Sequence, residues 1–375
     1  MLELIKRRKK LFASLVCLLL LVGGAFIYLY FFRQPPPLEK RFVVEKLPVP
    51  VASPEATPSI TLAQPGEKAL LSGTKVAYQT FNNCGPATLS MILSYYDIRK
   101  SQKELGDEMR PYQHPQGDND DKIIFPTEFV AWVEKFGLKA AYRPNGSLEL
   151  LKLFLANEIP VVVKTWLRPN EDIGHFRIIR GFDEGAKVLI DDDSYFGPNR
   201  RLSYFDFMSM WQPFNYGYIP VYKPEKEEIV KAILGQEQDS EVAYWKAVNR
   251  AQKENQLDPN NIYPFFNLST SYYHVGEYEK SVTEFKKVES RLPRRMLWYQ
   301  IEPILAYKEL KNYGRVFEIS NWLFDHGNRA FSELYQIRGE IYLERGDKEA
   351  ARREFESALQ YNQNFQPAKE ALLNL

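Results

Sequence analysis

The chain has 375 residues, and its 49 basic and 48 acidic side chains leave a formal net charge of +1. That balance excludes the basic footprint of a nucleic-acid binder, and the length leaves room for two domains with further segments. The only cysteines are Cys17 and Cys84, too few for a disulfide framework, and no Cys-x-x-Cys zinc pattern occurs, so neither a metal nor a cofactor is expected.

Residues 1–10 form a basic segment with Lys6, Arg7, Arg8, Lys9 and Lys10. Residues 11–32 carry no charge and are long enough to cross a hydrocarbon core of ~30 Å as one transmembrane helix. The basic flank comes first, which puts the N-terminus in the cytoplasm and the remaining domains outside it. The run ends in FIYLYFFRQPPP, without a small-x-small cleavage site, so an uncleaved anchor is expected rather than a signal peptide. Cys17, in mid-run, reads as a packing residue. Residues 33–75 are punctuated by prolines, from Pro35 to Pro65, and read as a semi-rigid spacer.

Residues 76–222 read as one α+β domain. Ala87 to Tyr96 is apolar enough for a buried helix, and helices are also expected at 101–109, 127–137 and 148–158. The pattern then changes to β-branched runs at 160–167, 175–182 and 187–193, with a last strand at 216–222, all antiparallel. Residues 223–240 are a charged connector, expected to be helical. Residues 241–375 carry helical repeats. Phe265, Leu268, Tyr272, Gly276, Tyr278, Phe285 and Pro293 fit the large, small and turn positions of a tetratricopeptide repeat. Gly339, Tyr342, Gly346, Ala351, Phe355 and Ala358 fit a second copy, about two periods on. The copy between them, around 296–329, is degenerate. By analogy with other solenoids, the repeats offer a groove for a protein partner.

The chemistry centres on QTFNNCGPATLSM, residues 79–91. A polar turn leads into Cys84, Gly85 removes side-chain bulk, and Pro86 suits a first helical turn. Cys84 thus sits at a helix N-terminus, where unpaired N–H groups and the helix dipole favour a thiolate; taken alone, it reads equally as a buried structural cysteine. A nucleophile needs a base. Of the four histidines, His274 and His326 belong to the repeats and His114 lies in a polar loop, which leaves His175 at the start of a strand. The imidazole needs an orienting carboxylate, and Asp191, Asp192 and Asp193 end the adjacent strand. Asp191 and Asp193 share one face and Asp192 points elsewhere. Gln79, five residues before Cys84, offers a side-chain amide that can join the Cys84 backbone N–H as an oxyanion donor. The acidic stretch Asp118-Asn119-Asp120-Asp121 lacks the glycine and terminal glutamate of a calcium loop and reads as solvated surface.

Gln-x4-Cys-Gly-Pro, then Gly-His-Phe opening a strand, then Asp-Ser-Tyr-Phe-Gly-Pro after the next strand, resembles the papain-like cysteine peptidases that process double-glycine leaders of bacteriocins. It is closest to the stand-alone branch of that superfamily that carries tetratricopeptide repeats. The resemblance covers roughly 76–222, extended by the repeats. It implies an α+β papain-like fold followed by an all-α solenoid, with Cys84 as nucleophile, His175 as base, an aspartate as orienter and Gln79 in the oxyanion hole. The family's aspartate has a glycine four residues on. Asp193, with Gly197, meets this, so Asp193 is taken and Asp192 is the alternative. The family's usual Asp-Pro is Asp-Ser here. No GxxxxGK[ST] follows, so a leader-cleaving exporter role is not carried over. The expected function is a membrane-anchored, extracytoplasmic cysteine peptidase acting on a peptide or protein. A transferase would use the same groups. The reading from a different class is an inactive peptide-binding domain serving as a repeat-based adaptor.

Overall fold

The computed structural model describes residues 60–111, 113 and 121–375. The basic segment, the expected transmembrane helix 11–32, most of the spacer, Cys17 and His114 lie outside the described residues. Among the described residues no helix is long and apolar enough to cross a membrane.

The centre of the first region is a seven-stranded antiparallel sheet. Its strands are β1 (Lys68–Leu70), β2 (Lys139–Ala140), β3 (Val161–Trp166), β4 (Gly174–Asp183), β5 (Val188–Asp193), β6 (Gly197–Ser203) and β7 (Tyr218–Tyr222). They run in the order β2-β7-β3-β4-β5-β6, with β1 added to the far end of β4. Strands β3, β4 and β7 are buried throughout, because both faces of the sheet are covered. On one face Val162, Phe176 and Ile178 pack against Leu89, Ile92, Phe129 and Val133. These come from α1 (Cys84–Tyr95) and α3 (Pro126–Glu134); α2 (Gln102–Met109) adds Leu105 and Met109. On the other face Val161, Val163 and Ile179 meet Leu151 and Phe154 of α4 (Leu148–Ala156) and Phe207 and Trp211 of α5 (Tyr204–Trp211). Alternate residues of one strand thus feed two cores, which is why these runs read as continuously apolar.

Three elements differ from the sequence expectation. Strand β1 lies inside the stretch expected as spacer. It pairs with Gly181–Asp183, and just before it Ala63 exchanges two hydrogen bonds with the Asn157 amide, at 2.9 and 3.0 Å. The end of that stretch is therefore part of the folded unit. Strand β6, GPNRRLS, was not expected because it is a polar edge strand with no apolar alternation, a composition that protects an open edge. The acidic stretch ending in Asp121 is corrected as well: Asp121 is fully buried, 2.7 Å from the Arg110 guanidinium, with its other oxygen accepting the Ser332 N–H at 2.8 Å.

Beyond β7 the connector forms α6 (Glu227–Leu234) between two short 3-10 turns. The C-terminal region is helical: α7 (Ser240–Leu257), α8 (Ile262–His274), α9 (Tyr278–Lys286), the short α10 (Met296–Tyr299), α11 (Glu302–Glu309), α12 (Tyr313–His326), α13 (Ser332–Glu344), α14 (Lys348–Tyr361) and α15 (Gln366–Leu373). The turns α8–α9 and α13–α14 each place a glycine at positive φ, Gly276 at 76° and Gly346 at 77°. Midway between them, in the α11–α12 turn, Lys311 takes the same left-handed conformation at 54°. The turn geometry thus recurs at this midpoint although its favoured residue does not. One continuous core holds residues of both regions, from Trp166 and Trp211 to Phe266, Met296, Ile304 and Ile341.

Candidate active site

Cys84 opens α1, and the Asn83 carbonyl accepts the Ala87 N–H at 3.0 Å to start the helix. Cys84 as a whole is half-buried and in no disulfide. A β-carbon on Gly85 would stand 2.6 Å from Ile124 Cγ1, so the glycine lets the helix start seat against Ile124. The first N–H groups of the helix have no intrahelical acceptor, and they place positive potential at the sulfur.

His175 is the second residue of β4, fully enclosed. Its Nε2 lies 3.0 Å from Asp193 Oδ1, and the ring also hydrogen-bonds the Cys84 thiol. With Nε2 held by the carboxylate, Nδ1 is the atom left to face sulfur. Asp193 is fixed in turn: Oδ1 also accepts the N–H groups of Tyr195 at 2.7 Å and Phe196 at 2.9 Å, and Oδ2 accepts from Arg177. Arg177, buried on the same strand as His175, also reaches Asp191 at 3.3 Å and Thr165 Oγ1 at 2.9 Å. Asp192 turns to the other side. It accepts from the Thr74 N–H and hydroxyl at 3.0 and 2.8 Å, the Asn199 N–H at 3.0 Å, and faces Arg180 Nε at 2.9 Å. Asp193, and not the alternative Asp192, therefore stands against His175.

The electrostatics follow these contacts. Burial opposes ionisation of Cys84, but the bond to His175, the charges of His175 and Lys164 and the Phe176 N–H outweigh it, so the thiol titrates below its ordinary range. Burial likewise opposes the imidazolium, and the bonds to Asp193 and Cys84 outweigh it, so His175 is raised. Asp193 is held low, against its burial, by His175, Arg177 and the Phe196 N–H. Burial pushes Asp191 up to about 6 against the pull of Arg177.

Gln79 lines the same groove as Cys84 and His175, a cavity of about 440 Å³. Its N–H donates to the Ser194 carbonyl and its Oε1 accepts from the Ser194 hydroxyl, both at 2.8 Å. The serine that stands where the resembling family has proline thus holds the glutamine side chain, leaving the amide N–H₂ as its free end.

Two contributors escaped the sequence reading. Lys164, on β3, is 6% exposed and donates to the Ile124 carbonyl at 2.9 Å. No carboxylate lies within ion-pair distance of it among the described residues, and burial brings it down to about 8. Its signal was visible as the one charge in the run PVVVKTWL. The other is the pair Trp298 and Tyr299, at the end of α10 in the helical region, which wall the groove. A β-carbon on Gly174 would stand 2.9 Å from the Tyr299 ring, so the glycine admits the ring, and the phenol oxygen faces the Gly174 N–H. No local pattern marks them, because the contact exists only in the tertiary fold. Among the described residues no group of three or more metal-ligating side chains converges.

Residues 72–219 match the Peptidase_C39 like family, which makes this segment C39-peptidase-like and the whole an α+β peptidase-type domain followed by a helical region. Similar solved structures include the peptidase domain of Streptococcus ComA, described as a bi-functional ABC transporter involved in a quorum-sensing pathway. It is 19% identical, with TM-score 0.31 over 40% of this chain and 99% of that one. MamA is 16% identical, with TM-score 0.31 over 36% of this chain and 78% of that one. A double glycine motif protease from an AMS/PCAT transporter, in complex with its leader peptide, is 16% identical, with TM-score 0.29 over 43% of this chain and 98% of that one. No curated protein matches the chain.

Proposed function

We propose that the chain is a thiol-dependent peptidase in which Cys84 is the nucleophile, His175 the base and Asp193 the group that orients it. The observation that carries this reading is the unbroken line from the Cys84 thiol through the His175 ring to a carboxylate locked by two backbone N–H groups. The C39-like match of the same segment supports peptide bonds as the target. In the mechanism the Cys84 thiolate attacks the peptide carbonyl carbon, and the C=O electron pair moves onto oxygen. The Gln79 amide and the Cys84 N–H stabilise that oxyanion. His175 gives its proton to the departing amine, leaving a thioester. The neutral imidazole then takes a proton from water, whose oxygen displaces the sulfur and releases the acid.

The proposal extends to the rest of the chain. The helical region is a tetratricopeptide-type solenoid that recruits substrate or a partner, supported by the recurring turn at Gly276, Lys311 and Gly346. The chain is a single-pass membrane protein with its catalytic region extracytoplasmic, supported by the uncharged run 11–32 and its basic flank. A protease-protection assay that finds residues 60–375 on the cytoplasmic side would refute that topology. The activity itself is tested by incubating the full-length chain, and its Cys84→Ala variant, with a diverse peptide library read by mass spectrometry. Cleavage by the wild type alone is expected; equal cleavage by both removes Cys84 from the role.

A further inference from the structure

The short helix α10 belongs to the helical region, yet both its ends are fastened to the sheet region. The Arg295 guanidinium pairs with Asp172, and the Arg295 backbone N–H donates to the same carboxylate at 3.3 Å. On the other side the Gln300 side-chain amide donates to the Pro213 carbonyl at 2.8 Å. Between these anchors stands Tyr299. Its ring centroid is 5.9 Å from that of Trp166, edge-on, and 5.9 Å from that of Phe214, and the Lys164 ammonium is 4.9 Å from it. The ring is therefore held in place before anything binds. It lines both the groove that holds Cys84 and His175 and the adjoining cavity of about 890 Å³. The phenol oxygen faces the Gly174 N–H, so it serves there as an acceptor and its own hydrogen is left for another group. Among the described residues no acceptor lies within hydrogen-bond distance of that hydroxyl, and it is not sealed from solvent as the Tyr218 hydroxyl is. Burial, together with the nearby charge of Cys84, raises the phenol well above its ordinary range, so the proton stays on.

On the reading that this groove holds a peptide at Cys84, we propose that Tyr299 is a substrate-binding residue lent to the site by the helical region, its O–H donating to a backbone carbonyl oxygen of the bound peptide. A peptide entering the groove brings carbonyl oxygens that lose water on binding and need donors. A phenol already fixed by its neighbours supplies one at little cost in ordering. It is a neutral donor, suited to a neutral acceptor. Every peptide carries that acceptor, so the contact sets where the chain lies and not which side chains it bears. Cys84, His175 and Asp193 come from the sheet region and this donor from the helices, so the site is complete only with both.

The test uses binding, which does not depend on turnover. Peptides are selected from a displayed random library on the full-length Cys84→Ala chain. Three of unrelated sequence that also shield Cys84 of the wild type from iodoacetamide are kept. Their affinities are measured for the Cys84→Ala chain with and without Tyr299→Phe, which keeps the ring and removes only the hydroxyl. Each peptide is expected to lose about fivefold, the worth of one neutral hydrogen bond, and by a similar factor whatever its sequence. The urea midpoint of Tyr299→Phe, and the alkylation rate of Cys84 in the free chain carrying it, should stay at wild-type values. Unchanged affinities, a loss confined to one sequence, or no shielding peptide at all would overturn the contact. A changed alkylation rate in the free chain would assign the hydroxyl to the thiolate instead, and a lowered urea midpoint would assign it to packing; either overturns the proposal. If the peptides lose affinity as expected but the wild type cleaves neither them nor the wider library, the peptidase reading fails and the contact stands. If they are cleaved and bind Tyr299→Phe unchanged, the contact fails and the peptidase stands.

Discussion

Ser194 and Gln79 show how one residue's chemistry depends on another's placement. An oxyanion donor must be held before the charge develops, because reorganising it during the reaction costs rate. The Ser194 hydroxyl occupies the acceptor end of the Gln79 amide, and the Ser194 carbonyl fixes the Gln79 backbone, both at 2.8 Å. If Gln79 serves as the proposed oxyanion donor, Gln79→Ala is expected to lower kcat by about 10² to 10³, the usual loss for one such donor. Ser194→Ala should cost less, about fivefold, because one neutral hydrogen bond is worth ~1 kcal/mol. In both variants the alkylation rate of Cys84 should stay at the wild-type value, since neither residue touches the sulfur. A wild-type kcat in Ser194→Ala would show that the amide needs no tether.

At the scale of elements, the joint between the sheet and helical regions rests on an enclosed ion cluster. Arg110, just after α2, lies 2.7 Å from Asp121 and 2.6 Å from Glu128, and 2.5 Å from Glu333 in the first turn of α13. Three carboxylates around one buried guanidinium are stable only while the cation is present. Arg110→Met is expected to destabilise the chain by ~3–5 kcal/mol, read from urea unfolding. The loss should be smaller at low pH, where protonated carboxylates no longer need the cation; a loss that does not change with pH would contradict this origin. The cluster also shows where sequence reading stopped. The helices at 84–95, 102–109, 126–134 and 148–156 and strands β3, β4, β5 and β7 were legible because periodicity and turn residues mark them locally. Cys84 and His175 were legible by type and scarcity. The choice among Asp191, Asp192 and Asp193 needed the family's spacing, since strand alternation alone left two candidates on one face. Asp121 was misread because its partners, Arg110 and Ser332, lie in different parts of the chain. The role of Trp298 and Tyr299 was invisible for the same reason.

At the scale of the molecule, one of the cores runs through both the sheet and the helical regions. Trp166 and Trp211 of the sheet region pack in the same cluster as Phe266, Met296 and Ile304 of the helices. The groove that holds Cys84 and His175 takes one wall from each region. Residues 60–375 are therefore expected to unfold in one transition, coincident by circular dichroism and tryptophan fluorescence. A chain ending at residue 240 should lose cooperative unfolding, because it exposes the face that the helices cover. Two separate transitions in 60–375, or cooperative unfolding of the shorter chain, would mean that the regions fold independently.

The most direct test of the central claim is the pH dependence of Cys84 alkylation by iodoacetamide, followed at the Cys84 peptide by mass spectrometry. The thiol is lowered by its bond to His175 and by the charges of His175 and Lys164, so the reactive thiolate should persist on the acid side of the ordinary thiol range. His175→Ala should move the profile up toward that of a plain thiol. Lys164→Met should move it part of the way, with the difference from wild type fading above about pH 8, where Lys164 loses its own charge. If wild type and His175→Ala instead titrate together in the ordinary thiol range, Cys84 is a packing residue and the peptidase assignment falls.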